Sequence, residues 1–99
     1  MGIEPDGIIG HSIGEICCGY ADGCLTRGEA LKLAYHRGNT VMQNKEKLCG
    51  KMVAVQLTLE QVKARCTEGV VAACHNGANS ITISGESNEV ENSLAIEML

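Results

Sequence analysis

Residues 8–15 read Ile8-Ile9-Gly10-His11-Ser12-Ile13-Gly14-Glu15, and the Gly10-x-Ser12-x-Gly14 spacing inside them decides the reading of the fold. A serine flanked this way sits on a sharp strand-to-helix turn, its hydroxyl exposed and the first helical amides beside it. Gly10 and Gly14 lack a Cβ, so backbone is expected to approach both positions closely. Upstream, Asp6-Gly7 is a turn signal and Ile8-Ile9 reads as a short buried strand. Downstream, Ile13, Ile16, Cys17 and Tyr20 recur at helical spacing, and Gly19 with Asp22-Gly23 closes that helix. Strand, turn and helix in this order suit acyl transfer: Ser12 attacks a carbonyl, and the Ile13 N–H leads the amides that hold the oxyanion. The competing reading is a glycine-rich turn with a buried or capping serine.

At 99 residues the chain is one small domain or a piece of a larger one. With 44% hydrophobic residues, two tyrosines and no Trp or Phe, its core has to rest on aliphatic side chains, Met and Cys. The net charge of −4 comes with scattered basic residues, which excludes a phosphate-tracking surface and so a nucleic-acid partner. No apolar run approaches the ~20 residues that cross a bilayer, and the N-terminus has no signal-peptide profile, so no membrane partner and a cytoplasmic location are expected. The six cysteines form no Cys-x-x-Cys pair and most sit in apolar segments, which points to reduced, buried thiols. The three histidines show no ligand spacing with them, so no metal is expected.

Thr26-x-x-Glu29 is a capping box, opening a helix to about Asn44 that carries Ala30, Leu31, Ala34, Val41 and Met42 toward an apolar side. Cys49-Gly50 reads as a turn. Met52–Leu57 follows as a strand, and Thr58-x-x-Gln61 caps a helix to about Cys66 with Leu59 and Val62 inward. Glu68-Gly69 turns the chain into a strand over Val70–Cys74. Asn76-Gly77-Ala78-Asn79 is a loop of residues that tolerate left-handed backbone, and Ile81-Thr82-Ile83-Ser84 alternates with the period of a half-buried strand. Asn88-x-x-Glu91 starts a last helix, whose pattern continues through Leu94, Ala95, Met98 and Leu99 without a stop. Strand, helix, strand, strand, helix lacks one strand of a ferredoxin-like unit. The absence of strands before the Ser12 turn and of a stop at the other end reads as a fragment.

Gly-His-Ser-Ile-Gly-Glu at 10–15, Gly-Tyr-Ala-Asp-Gly at 19–23, Ala-Tyr-His-Arg-Gly at 34–38, Ala-Cys-His-Asn at 73–76 and Ile-Thr-Ile-Ser-Gly at 81–85 follow in one order. Together they closely resemble the malonyl/acetyl transferase domain of animal-type fatty acid synthase. Acyltransferase domains of polyketide synthases share the serine motif and the arginine. The resemblance spans nearly the whole chain and about a third of the family domain. It implies an α/β fold: residues 1–50 as the serine-bearing part of an α/β-hydrolase-like acyltransferase subdomain, and 51–99 as an incomplete ferredoxin-like βαββα subdomain.

The same resemblance implies the chemistry. Ser12 would take a malonyl or acetyl group from coenzyme A as an ester and pass it to the phosphopantetheine thiol of an acyl carrier protein, in a larger multidomain synthase. Coenzyme A enters as thioester substrate; no bound cofactor is implied. Arg37 would pair with the free carboxylate of malonyl-CoA, for which a planar guanidinium fork is suited and lysine is not. Ile13 would give an oxyanion N–H, and His11 and Asn76 would border the substrate. From the residues alone, His11 packs or hydrogen-bonds beneath the turn, Glu15 is a structural hydrogen-bond partner, and Cys17 and Cys18 pack in the core. The family's catalytic histidine would fall after Leu99 and its second oxyanion donor before Met1, which would leave these 99 residues inactive alone. The alternatives are a polyketide synthase acyltransferase, a serine hydrolase with water as acceptor, and a non-catalytic truncated remnant.

Overall fold

In the computed structural model, which describes residues 2–97 and their side chains as far as residue 95, the chain divides into two compact units, Met1–Glu46 and Lys47–Leu99. The division falls four residues before the expected one. The turn at residues 44–47 makes it, and Gly50, expected in a turn, is already the first residue of a strand.

The N-terminal unit is two helices. Helix α1 spans Gly14–Ala21, and Asp22 caps it by donating its backbone N–H to Cys18 O at 2.8 Å. Gly23 follows at φ +84°, the left-handed backbone that stops a helix. Helix α2 spans Arg27–Gln43 from the expected capping box: Glu29 N–H donates to Thr26 Oγ1 at 3.2 Å, and Thr26 N–H donates to Glu29 Oε2 at 2.8 Å. Asn44 closes α2, its side-chain amide donating to Thr40 O at 2.8 Å.

Ile8-Ile9 is not a strand, and Ile9 is 98% exposed. A strand exists through its ladder partners, and no described segment of this unit supplies one. The apolar side of α2 is also uncovered: Leu31, Val41 and Met42 are exposed, and only Ala30 of the expected set is half-buried. Neither helix holds a buried residue.

The C-terminal unit has a core. It runs β1 (Gly50–Val55), α3 (Leu59–Arg65), β2 (Val70–Gly77), β3 (Ser80–Glu86) and α4 (Ser87–Glu97). The sheet order is β1-β3-β2, antiparallel throughout, so β3 lies between the two strands that α3 connects. Alternation explains β3: Ile81 and Ile83 are buried, while Thr82 and Ser84 point to the other face. Val55, Val62, Val70 and Val90 join them from the neighbouring strands and both helices. Each such side chain contributes about 1.5–3 kcal/mol by leaving water, and β-branching suits them to pleated strands.

Thr58 and Gln61 form the second capping box, and Val62 is 2% exposed as expected. Gly69 makes the following turn at φ +89°. Gly85 is required because a Cβ there would lie 2.5 Å from Gly69 O.

Three expectations change here. Asn76 and Gly77 belong to β2, and no residue at 76–79 has positive φ. The β2–β3 register shifts at Ala72/Cys74 and at His75/Gly77, ahead of the turn. Helix α4 begins at Ser87, which donates both its N–H (3.0 Å) and its Oγ–H (2.8 Å) to Cys49 O, and Glu91 pairs with Lys51 at 2.9 Å rather than closing a cap. Buried Ser93 accepts from Thr67 N–H at 3.2 Å, so its hydroxyl is satisfied. Met98 and Leu99, expected to continue α4, lie outside the described residues. Among the described residues no helix is long and apolar enough to cross a membrane.

Candidate functional site

Ser12 is exposed and has φ +55°, and among the described residues it alone leaves the negative-φ half without being glycine. That left-handed backbone costs a β-carbon residue on the order of 1–3 kcal/mol, and it persists only where the surroundings enforce it. Three short-range bonds do so: Gly14 N–H to His11 O (2.9 Å), Glu15 N–H to Ser12 O (3.2 Å) and Ile16 N–H to Ile13 O (3.1 Å). They wind the chain directly from Ser12 into α1.

Gly10 closes the turn from below. A Cβ there would meet Cys18 Sγ at 2.6 Å, Gly14 O at 2.7 Å and Glu15 Cα at 2.8 Å, so backbone lies against backbone where the spacing predicted it. Gly14 differs: nothing lies within 4 Å of a Cβ built there, and close approach does not explain it.

Ile13 sits at the N-cap in helical conformation (φ −58°, ψ −29°) with no side-chain cap. Its N–H donates in none of the turn's backbone bonds among the described residues, so an amide stands open beside the Ser12 hydroxyl at the positive end of α1. Glu15 is exposed in the first turn, where a carboxylate favours the helix dipole. Its side chain has no hydrogen-bond partner among the described residues, against the expectation of a structural partner. A recess of about 350 Å³ lies alongside, lined by Ile8, Glu15, Cys18, Gly19 and Asp22, without Ser12.

Arg37 is exposed on α2, with no ion pair among the described residues. At 100° per residue, Ala30, Ala34, Arg37 and Val41 fall in one stripe about 60° wide. Arg37 thus stands at one edge of a stripe of small and apolar side chains, with Leu33 next beyond it around the helix. His36 packs edge-on against Tyr35 with ring centroids 5.5 Å apart. His11 is exposed and already engaged with a neighbour. Asn76 belongs to the C-terminal unit, near the end of β2, where its side-chain amide donates to Thr82 Oγ1 at 3.2 Å. Sequence patterns named Asn76 but not Thr82, whose outward register on β3 is the signal that could have paired them. Ser12, Ile13 and His11 are together on one turn, and Arg37 is in the same unit.

The thiols are free but none is buried: Cys17, Cys24 and Cys49 are exposed, and Cys18, Cys66 and Cys74 are half-buried. Cys17 does not pack in a core because α1 has none to pack in. The Asp22 carboxylate accepts from Cys24 Sγ at 3.2 Å, and this hydrogen bond, with the charge behind it, pushes the Cys24 thiol up. Burial does the same for Cys66. No group of three or more metal-ligating side chains forms among the described residues.

A family described as the acyl transferase domain matches residues 1–96. The highly reducing polyketide synthase sphB of Aspergillus fumigatus is 39% identical over 94 residues, 95% of this chain and 4% of that protein. The acyltransferase domain from the second module of the salinomycin polyketide synthase superposes with a TM-score of 0.76 at 36% identity, over 98% of this chain and 23% of that one. The acyltransferase domain of an iterative polyketide synthase in enediyne biosynthesis gives 0.85 at 26% identity, over 98% and 26%. The chain therefore spans a small part of each relative. All three are polyketide synthases, so the animal-type fatty acid synthase expectation is not supported, and the polyketide synthase alternative is the better reading. This chain belongs to the acyl transferase domain family.

Proposed function

We propose that the chain is part of a polyketide synthase acyltransferase that moves malonyl or acetyl units from coenzyme A to an acyl carrier protein through an ester on Ser12. The observation that carries this reading is the left-handed Ser12 at φ +55°, presented at the start of α1 beside the open Ile13 amide. Ser12 Oγ attacks the thioester carbonyl, and its proton passes to a histidine that the resemblance places further along the parent chain. The Ile13 N–H holds the developing oxyanion. The carbon–sulfur bond then breaks, coenzyme A leaves as the thiol, and the acyl group remains as an ester. Attack by the phosphopantetheine thiol reverses the sequence and frees Ser12.

Arg37 offers its fork to the free carboxylate of a malonyl unit. His11 and Asn76 border the substrate. In this reading the C-terminal unit is the incomplete ferredoxin-like subdomain, and the N-terminal unit is the serine-bearing part of the α/β-hydrolase-like one.

Acyl loading measured by intact mass in the parent synthase tests the reading. Arg37→Ala is expected to cut malonyl loading about 10–100-fold while acetyl loading changes about twofold at most, because only malonyl carries the second carboxylate. Equal losses would assign Arg37 to folding.

A further inference from the structure

A groove of about 580 Å³ runs beside β2 in the C-terminal unit. One wall is α3, through Leu59, Val62 and Lys63, whose spacing of three and one defines a single helix face, together with its C-cap residue Cys66. The other wall is β2, through the consecutive residues Val70, Val71, Ala72 and Ala73. Alternate residues of a strand point to opposite faces. A groove that touches all four therefore follows the edge of the strand, where the backbone lies, rather than either face. The sheet order leaves that edge unpaired among the described residues, so its N–H and C=O groups face the groove.

One charged side chain, Lys63, lines the groove; no carboxylate does, and Lys63 has no ion pair among the described residues. Cys66, whose thiol burial keeps protonated, adds no negative charge.

We propose that this groove binds an extended polypeptide segment that adds a strand to β2, with apolar side chains at alternate positions and an acidic side chain facing Lys63. Main-chain pairing supplies affinity and the α3 face supplies selection. An alkyl chain would fill the apolar part but leave the strand's polar edge and Lys63 unpaired. The proposal stands apart from the acyl chemistry and survives or fails without it.

The test is a titration of the full 99-residue chain, labelled for amide spectra, with a capped hexapeptide of alternating valine and glutamate. Shifts are expected at the amides of 70–77, with slowed hydrogen exchange there. Proline at a central position of the peptide removes a ladder donor and is expected to weaken binding about tenfold. Lys63→Glu is expected to weaken the glutamate peptide about five- to tenfold and to favour its lysine counterpart. Should Lys63→Glu disturb the β3 amides, Lys63→Gln removes the charge alone. No binding at millimolar peptide, indifference to proline, or indifference to the charge swap would overturn the proposal. Binding of decanoate in place of the peptide, or self-association through β2 without any peptide, would overturn it too by naming another occupant.

Discussion

The two units of this chain carry opposite halves of what a protein needs. The C-terminal unit buries Ile81 and Val90 completely and joins six buried side chains in one cluster. The N-terminal unit holds the Ser12 turn and Arg37, yet its two helices bury nothing, and Ile9, Leu31 and Met42 stand in the open. The difference separates two sources of order. The serine turn is enforced by three hydrogen bonds and one glycine, all within residues 10–18, whereas a core requires surfaces from distant parts of the chain. A site's geometry can thus be written locally in a unit whose stability is not. Large exposed apolar patches mark surfaces that meet other polypeptide. The matched acyltransferase domains, of which this chain covers 23% and 26%, have ample further chain to provide it.

The contrast can be broken most sharply by truncating side chains in each unit. Ile81→Ala is expected to cost the C-terminal unit about 2–5 kcal/mol, read as lost hydrogen-exchange protection at β3 amides. Leu31→Ala is expected to change protection in α2 by no more than about 0.5 kcal/mol in the same 99-residue chain. Comparable losses from both would mean that the N-terminal unit has a core after all.

A smaller effect tests whether the turn is locally enforced. In the parent synthase, Gly10→Ala is expected to slow acyl loading about 100-fold, because Gly14 O and Glu15 Cα are backbone atoms that cannot yield without moving Ser12. Loading at the normal rate would show that the turn is held from elsewhere. The smallest effect concerns Cys24. Removing the carboxylate with Asp22→Asn lowers the thiol back toward its ordinary range and raises its thiolate fraction, so alkylation near pH 8 is expected to quicken about threefold. A slower reaction would contradict the assigned cause.

What was legible in the sequence follows the same division. Thr26/Glu29 and Thr58/Gln61 were readable because a capping box is satisfied within four residues, and both pairs of bonds form. The period of Ile81–Ser84 was readable because one face of β3 is buried. Ser12 was readable from its flanking spacing, and its left-handed backbone is the local consequence. Ile8-Ile9 misled because hydrophobicity reports a wish for burial, while a strand needs a partner. Leu31, Val41, Met42 and Cys17 misled for the same reason. The 76–79 loop misled because Asn and Gly tolerate left-handed backbone without requiring it, and the β2 ladder with β3 runs on to Gly77. The groove beside β2 has no motif at all, since it joins α3 and β2 only through the fold.

The most direct measurement maps the acyl group itself. After the parent synthase is incubated with malonyl-CoA and digested, the account predicts a malonyl ester on the peptide bearing Ser12, absent in Ser12→Ala. An ester on another residue, or one that persists in Ser12→Ala, would contradict it.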